Sequence, residues 1–186
     1  MAIAPSVAKA ADSKSTCFGS GVSRLRGTTA YSPCTAKPPP AQATDGCADP
    51  IAGIWVARTY RTEVGDWHEY TLDVTRAGAK LTGSLDLKVW DGGASATTIP
   101  QCGAGEPAVT AYRITATGIV SSDTVRIDAQ DVTASSASSC RAAGGYSRDH
   151  FVGVLDARTH RLDMRNTDDG GNAHDRPYQF QRVACH

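Results

Sequence analysis

The chain has 186 residues, enough for one domain with a sizeable core, and its 19 Lys and Arg balance its 19 Asp and Glu to zero net charge. That balance points to no polyanion, so nucleic acid and anionic membrane surfaces are not expected partners. The longest apolar run covers only a few residues, so no segment is expected to span a bilayer.

Residues 1–46 are rich in Ala, Ser, Thr and Pro, include Pro38-Pro39-Pro40, and show no period of 2 or 3.6. Such composition reads as an irregular N-terminal segment. Ala8-Lys9-Ala10 resembles the small-residue tail of a leader cleavage site. From Gly53 onward apolar and polar residues alternate, the signature of half-buried strands. Eight runs are expected: 54–62, 67–75, 80–90, 109–120, 124–132, 147–155, 160–165 and 177–184. Tyr70, Leu72, Leu85, Leu87, Val125, Ile127, Phe151, Leu155, Leu162, Tyr178 and Phe180 fall on the inward rows. No helical stripe of useful length occurs, so residues 47–185 are expected to form an all-β, eight-stranded antiparallel up-and-down barrel.

The connections alternate in length. Arg76–Ala79, Ser121–Asp123 and Ala157–Thr159 are tight, whereas 91–108, 134–146 and 166–176 are long, with 63–66 a short exception. In a meander alternate connections share an end, so one end is closed by turns and the other carries loops. The six cysteines lack metal-site spacing and indicate disulfides formed in an oxidising compartment, secreted or periplasmic. Cys47 precedes the first strand and Cys185 ends the last, while Cys102 and Cys140 both sit in long loops. The topology therefore favours Cys47–Cys185 and Cys102–Cys140, leaving Cys17–Cys34 inside the N-terminal segment.

Gly53-Ile54-Trp55 on the opening strand of such a meander resembles the calycin superfamily of lipocalins, avidins and small bacterial barrel inhibitors of metalloproteases. That resemblance implies that Trp55 plugs the closed end, with Arg182 from the last strand packed across its ring. A lipocalin Thr-Asp-Tyr-type motif and the inward tryptophans of a biotin cage are absent, so neither a retinoid nor a biotin ligand is implied. Tyr70-Thr71-Leu72, Gly78, Leu81-Thr82-Gly83 and Phe180-Gln181-Arg182 also resemble small barrels of bacterial secreted proteins.

The loop-rich end gathers the candidate ligand-binding residues Trp67, His68, Trp90, His150, His174 and Tyr178, with Asp91, Asp168, Asp169 and Asp175 nearby. Parity turns His68 inward with Tyr70 and His150 outward. The bland alternative is that these are ordinary polar loop ends, with 168–171 supplying turn chemistry. The 166–172 segment lacks calcium-loop spacing and its terminal glutamate, and His68, His150 and His174 lack zinc-pair spacing, so no metal or other cofactor is expected. Neither a nucleophile elbow nor a convergent carboxylate pair is evident, so no catalytic residue is assigned and the protein is not expected to be an enzyme. The expected function is a binding barrel that takes a small molecule or a protein partner at its loop-rich end. A protease-inhibitor-like module, or a component of an extracellular assembly using the N-terminal segment, are the alternatives.

Overall fold

A computed structural model describes residues 46–102, 109–134, 145–170 and 175–186, all within the compact unit Pro33–His186. The expected N-terminal segment, up to residue 45, lies outside the described residues, as do Cys17, Cys34, Cys140 and His174.

Eight strands close into one barrel in the order β1 to β8: β1 (Gly53–Arg61), β2 (Asp66–Ala77), β3 (Lys80–Asp91), β4 (Val109–Ser121), β5 (Thr124–Ala134), β6 (Asp149–Asp156), β7 (Arg161–Asp168) and β8 (Arg176–Ala184). Every neighbouring pair is antiparallel, and no helix occurs among the described residues. The strands match the alternating runs because only period 2 places a whole apolar set on one face. The seventh strand starts one residue later than expected and runs on to Asp168. Pairing across the sheet extends it, as Asn166 and Thr167 oppose Phe151 and His150.

Closure joins β1 to β8 through Ile54↔Ala184, Trp55↔Arg182 and Val56↔Gln181. Gly53 begins this seam at φ +140°, and a Cβ there would lie 2.3 Å from the Ala184 carbonyl oxygen. The glycine of Gly-Ile-Trp is thus demanded by the close approach of the last strand. At the β2–β3 turn Gly78 takes φ +64°, in the left-handed region that glycine enters at least cost. Cys47 and Cys185 form a disulfide beside the seam, as the topology led one to expect, in keeping with an oxidising compartment. Cys102 is also disulfide-bonded, although its expected partner Cys140 is outside the described residues.

The closed half of the barrel is solid. Trp55, Leu72, Leu81, Leu85, Ile114, Val125, Leu162 and Phe180 are all fully buried there. Arg182 is 0% exposed, and its guanidinium carbon stands 4.5 Å over the Trp55 ring. It donates to the Asp49 carbonyl at 3.1 Å, while the Trp55 indole N–H donates to the Ile51 carbonyl at 2.8 Å. Among the described residues Arg182 Nε and Nη2 have no hydrogen-bond partner. Burial lowers this guanidinium's pKa, partly offset by the Asp49 charge. The ring face therefore takes much of the role that solvent would play for the cation.

Candidate ligand-binding site

The inward row of several strands changes character at one level. On β2 it runs Val74, Leu72, Tyr70, then His68 and Asp66; on β6, Phe151 gives way to Asp149. On β7, Leu162 and Met164 precede Asn166; on β8, Phe180 precedes Tyr178 and Arg176. Because antiparallel pairing brings these switches to the same height, an apolar floor is topped by a ring of polar side chains. The floor is aromatic: Tyr70 meets Phe151 and Tyr178 edge to face at 5.2 and 5.1 Å between centroids.

Above the floor is a cavity of about 310 Å³, opening at the loop-rich end. Its volume lies at the small end of the range of roughly 300–1,000 Å³ usual for small-molecule sites. Asp149, 5% exposed, is the hub of its wall. The Tyr146 and Tyr70 hydroxyls donate to its Oδ2 at 2.6 and 3.1 Å, and the Asn166 amide donates to Oδ1 at 2.6 Å. Burial raises the Asp149 pKa, and these three donors only partly offset it. The same burial keeps the phenols protonated: the Tyr70 hydroxyl is raised well above its ordinary value, and that of Tyr178 is pushed up to about 12.

His68 is 7% exposed and lines the same cavity, yet neither ring nitrogen has a hydrogen-bond partner among the described residues. Asp66 is its nearest charge, with 3.6 Å between Nε2 and Oδ2, which is an electrostatic contact beyond hydrogen-bond reach. Burial lowers the His68 pKa against the opposing pull of Asp66, so the imidazole is neutral at neutral pH. Arg61 grips Asp66 through Nε at 2.6 Å and a second, Nη2 contact. Burial would raise the Asp66 pKa, but Arg61 and His68 outweigh it and hold the carboxyl at about 2. Arg176 pairs with Glu63 at 2.6 Å, tying β8 to the β1–β2 turn beside the mouth.

Of the residues singled out at the loop-rich end in the sequence, His68, Asp168 and Tyr178 line the cavity. Trp67 and Trp90 do not line it. They oppose each other on β2 and β3 with parity opposite to His68, so they project from the outer wall. There they stack at 6.1 Å and 10° and are buried with Val109, with Ala96 and Ile99 packed against them. Their indole N–H groups donate to Gly93 and Ala96 carbonyls at 3.2 and 2.9 Å, and Arg58 caps Trp90 while donating to the Thr97 carbonyl. Residues 93–99 of the β3–β4 connection thus fold down over the wall, and the tryptophans form a small second core beneath them. His150 also stands outside, where Nδ1 and Nε2 meet Asp128 and Asp169 at 2.8 Å each. The Asp128 bond chiefly raises its pKa, with burial opposing and Asp169 adding to the rise, so the two carboxylates favour the imidazolium form. His174 is outside the described residues.

The residues that sequence reasoning missed are Asp149, Tyr146, Asn166, Arg61 and Arg176. A signal existed for Asp149: it is two residues before inward-facing Phe151, so parity already turned a carboxylate inward. Tyr146 had no such signal, because it precedes β6 and its place depends on how the chain enters that strand.

Among the described residues no cluster of His, Cys, Asp or Glu has the arrangement of a metal site, and no helix is long and apolar enough to cross a membrane. Comparison with known proteins finds no family whose pattern matches the chain, and no matching curated protein or solved structure.

Proposed function

We propose that this chain is a secreted or periplasmic, calycin-like barrel of the bacterial secreted kind, which binds a small molecule in its mouth without catalysing a reaction. The observation that carries this reading is His68, a buried imidazole facing the mouth cavity with both ring nitrogens unmatched among the described residues. A buried polar group without a partner costs about 1–3 kcal/mol, and a ligand supplying one donor and one acceptor would recover that cost. The solid lower barrel restricts such a ligand to the mouth, in contrast with a deep apolar calyx.

Native mass spectrometry of the full chain purified from its source tests the reading. A retained small molecule, lost when His68→Phe fills the cavity, is the expected result. A co-purifying protein with no small molecule would overturn it in favour of an inhibitor or assembly module.

A further inference from the structure

The polar atoms of the mouth are unevenly divided between donors and acceptors. The Tyr70 and Tyr146 hydrogens are committed to Asp149, so their oxygens present only lone pairs to an arriving molecule. Asp149 has accepted three hydrogen bonds, while its two oxygens offer about four acceptor positions. Neutral His68 adds one acceptor nitrogen and one N–H donor, and Asp168 adds a carboxylate to the lining.

The charges are uneven too. Arg61 and Arg176 line the cavity, but each is already paired, with Asp66 and Glu63 respectively. Two guanidiniums therefore face four carboxyl groups, and the carboxyls of Asp149 and Asp168 are the two left over. Neither Asp149 nor Asp168 has a cation within ion-pair distance among the described residues. Four tyrosines, at 70, 112, 146 and 178, line the same space, along with Leu87 and Val89. Aromatic faces attract cations, and the two aliphatic residues suit an apolar tail.

We infer that the mouth takes a small organic amine, its ammonium group directed to Asp149, Asp168, the tyrosine oxygens and the His68 acceptor, and its apolar ring or chain set against Leu87 and Val89. The inference rests on the reading of the mouth as a small-molecule site and adds the chemical class of the ligand. An ammonium supplies several donors and one positive charge, which answer the Asp149 and Asp168 carboxyls and the acceptor atoms beside them. An anion would meet the surplus carboxylates, and a neutral alcohol would leave the surplus charge unanswered.

The pH dependence follows from the groups around Asp149. These are His68 and Tyr70 from β2, Tyr146 before β6, Asn166 and Asp168 from β7, Tyr178 and Arg176 from β8, and Arg61 from β1. Burial raises the Asp149 pKa, so in acid this carboxyl is neutral and attracts no cation. Amine affinity should rise with pH through that raised value, then fall only as the amine itself deprotonates, near pH ~10.

Calorimetric titration of the full chain with 2-phenylethylamine, 2-phenylethanol and phenylacetate tests this, since the three share a ring and differ in the head group. The amine is expected to bind at least about tenfold more tightly than either other probe. Asp149→Asn, with folding checked by thermal melting, should remove that preference. If Asp149→Asn does not fold, Asp168→Asn and the pH profile of the unmodified chain read the same charge term. Equal or stronger binding of the alcohol or the acid, blocked by His68→Phe, would overturn the amine assignment and leave the small-molecule site standing. No heat with any of the three, together with no retained molecule in the native spectrum, would overturn both.

Discussion

Three buried side chains show how environment sets the cost of a charge. Arg182 is a cation under a tryptophan face with two N–H-bearing nitrogens unpartnered among the described residues, so its contribution is as much packing as charge. Arg182→Ala should cost about 2–4 kcal/mol, whereas Arg182→Met should cost within about 1.5 kcal/mol because it refills the volume without a buried charge. Urea unfolding of both variants measures the difference. His68 and Asp149 illustrate opposite titrations. The folded-state pKa of His68 is lowered, so its stabilising contribution is present above pH 6.5 and is lost as the pH falls through the lower, folded value. Asp149 is raised, so it contributes in acid and its contribution is lost as the pH rises through the folded value. Stability curves of the unmodified chain and His68→Phe should therefore diverge below pH 6.5, with the unmodified chain falling more steeply; parallel curves would contradict the buried neutral imidazole.

Among the elements, the opening strand and the β3–β4 connection do the most that is specific to this chain. Gly53→Ala would drive a methyl group into the Ala184 carbonyl and require a left-handed alanine, so a loss of about 1–3 kcal/mol is expected from thermal melting. The strand pattern itself was plain in the sequence, since alternation from Val125 to Ala129 or from Tyr70 to Val74 has one reading in a sheet with a buried face. What alternation could not reveal was a second buried layer. Trp67 and Trp90 occupy outward positions, and only the descent of the 92–100 segment makes those positions dry. Trp90→Ala should therefore destabilise the barrel by about 3–5 kcal/mol while leaving small-molecule binding at the mouth unchanged. A loss of binding affinity in a folded Trp90→Ala protein would return the tryptophans to the site.

For the whole molecule, closure and the mouth lie at opposite ends. Cys47–Cys185 spans 138 residues of sequence, and in the loop-entropy model its cross-link contributes about 5 kcal/mol. Replacing both cysteines by serine should lower the unfolding free energy by about 2–5 kcal/mol, read by denaturant titration, without changing the mouth chemistry. The calycin resemblance pointed to Trp55 and Arg182 at the closed end, and the sequence by itself determined the all-β class, the eight alternating runs and the clip between the terminal cysteines. These follow from period-2 burial and from the neighbourhood of first and last strands in a closed meander. Only the tertiary structure decided which polar residues converge. Asp149, Tyr70, Tyr146 and Asn166 come from three strands and a connection, and barrel register brings them within hydrogen-bond reach. Parity alone turned His68 inward and its neighbour Trp67 outward, and the structure added the segment that buries Trp67 on the outer wall.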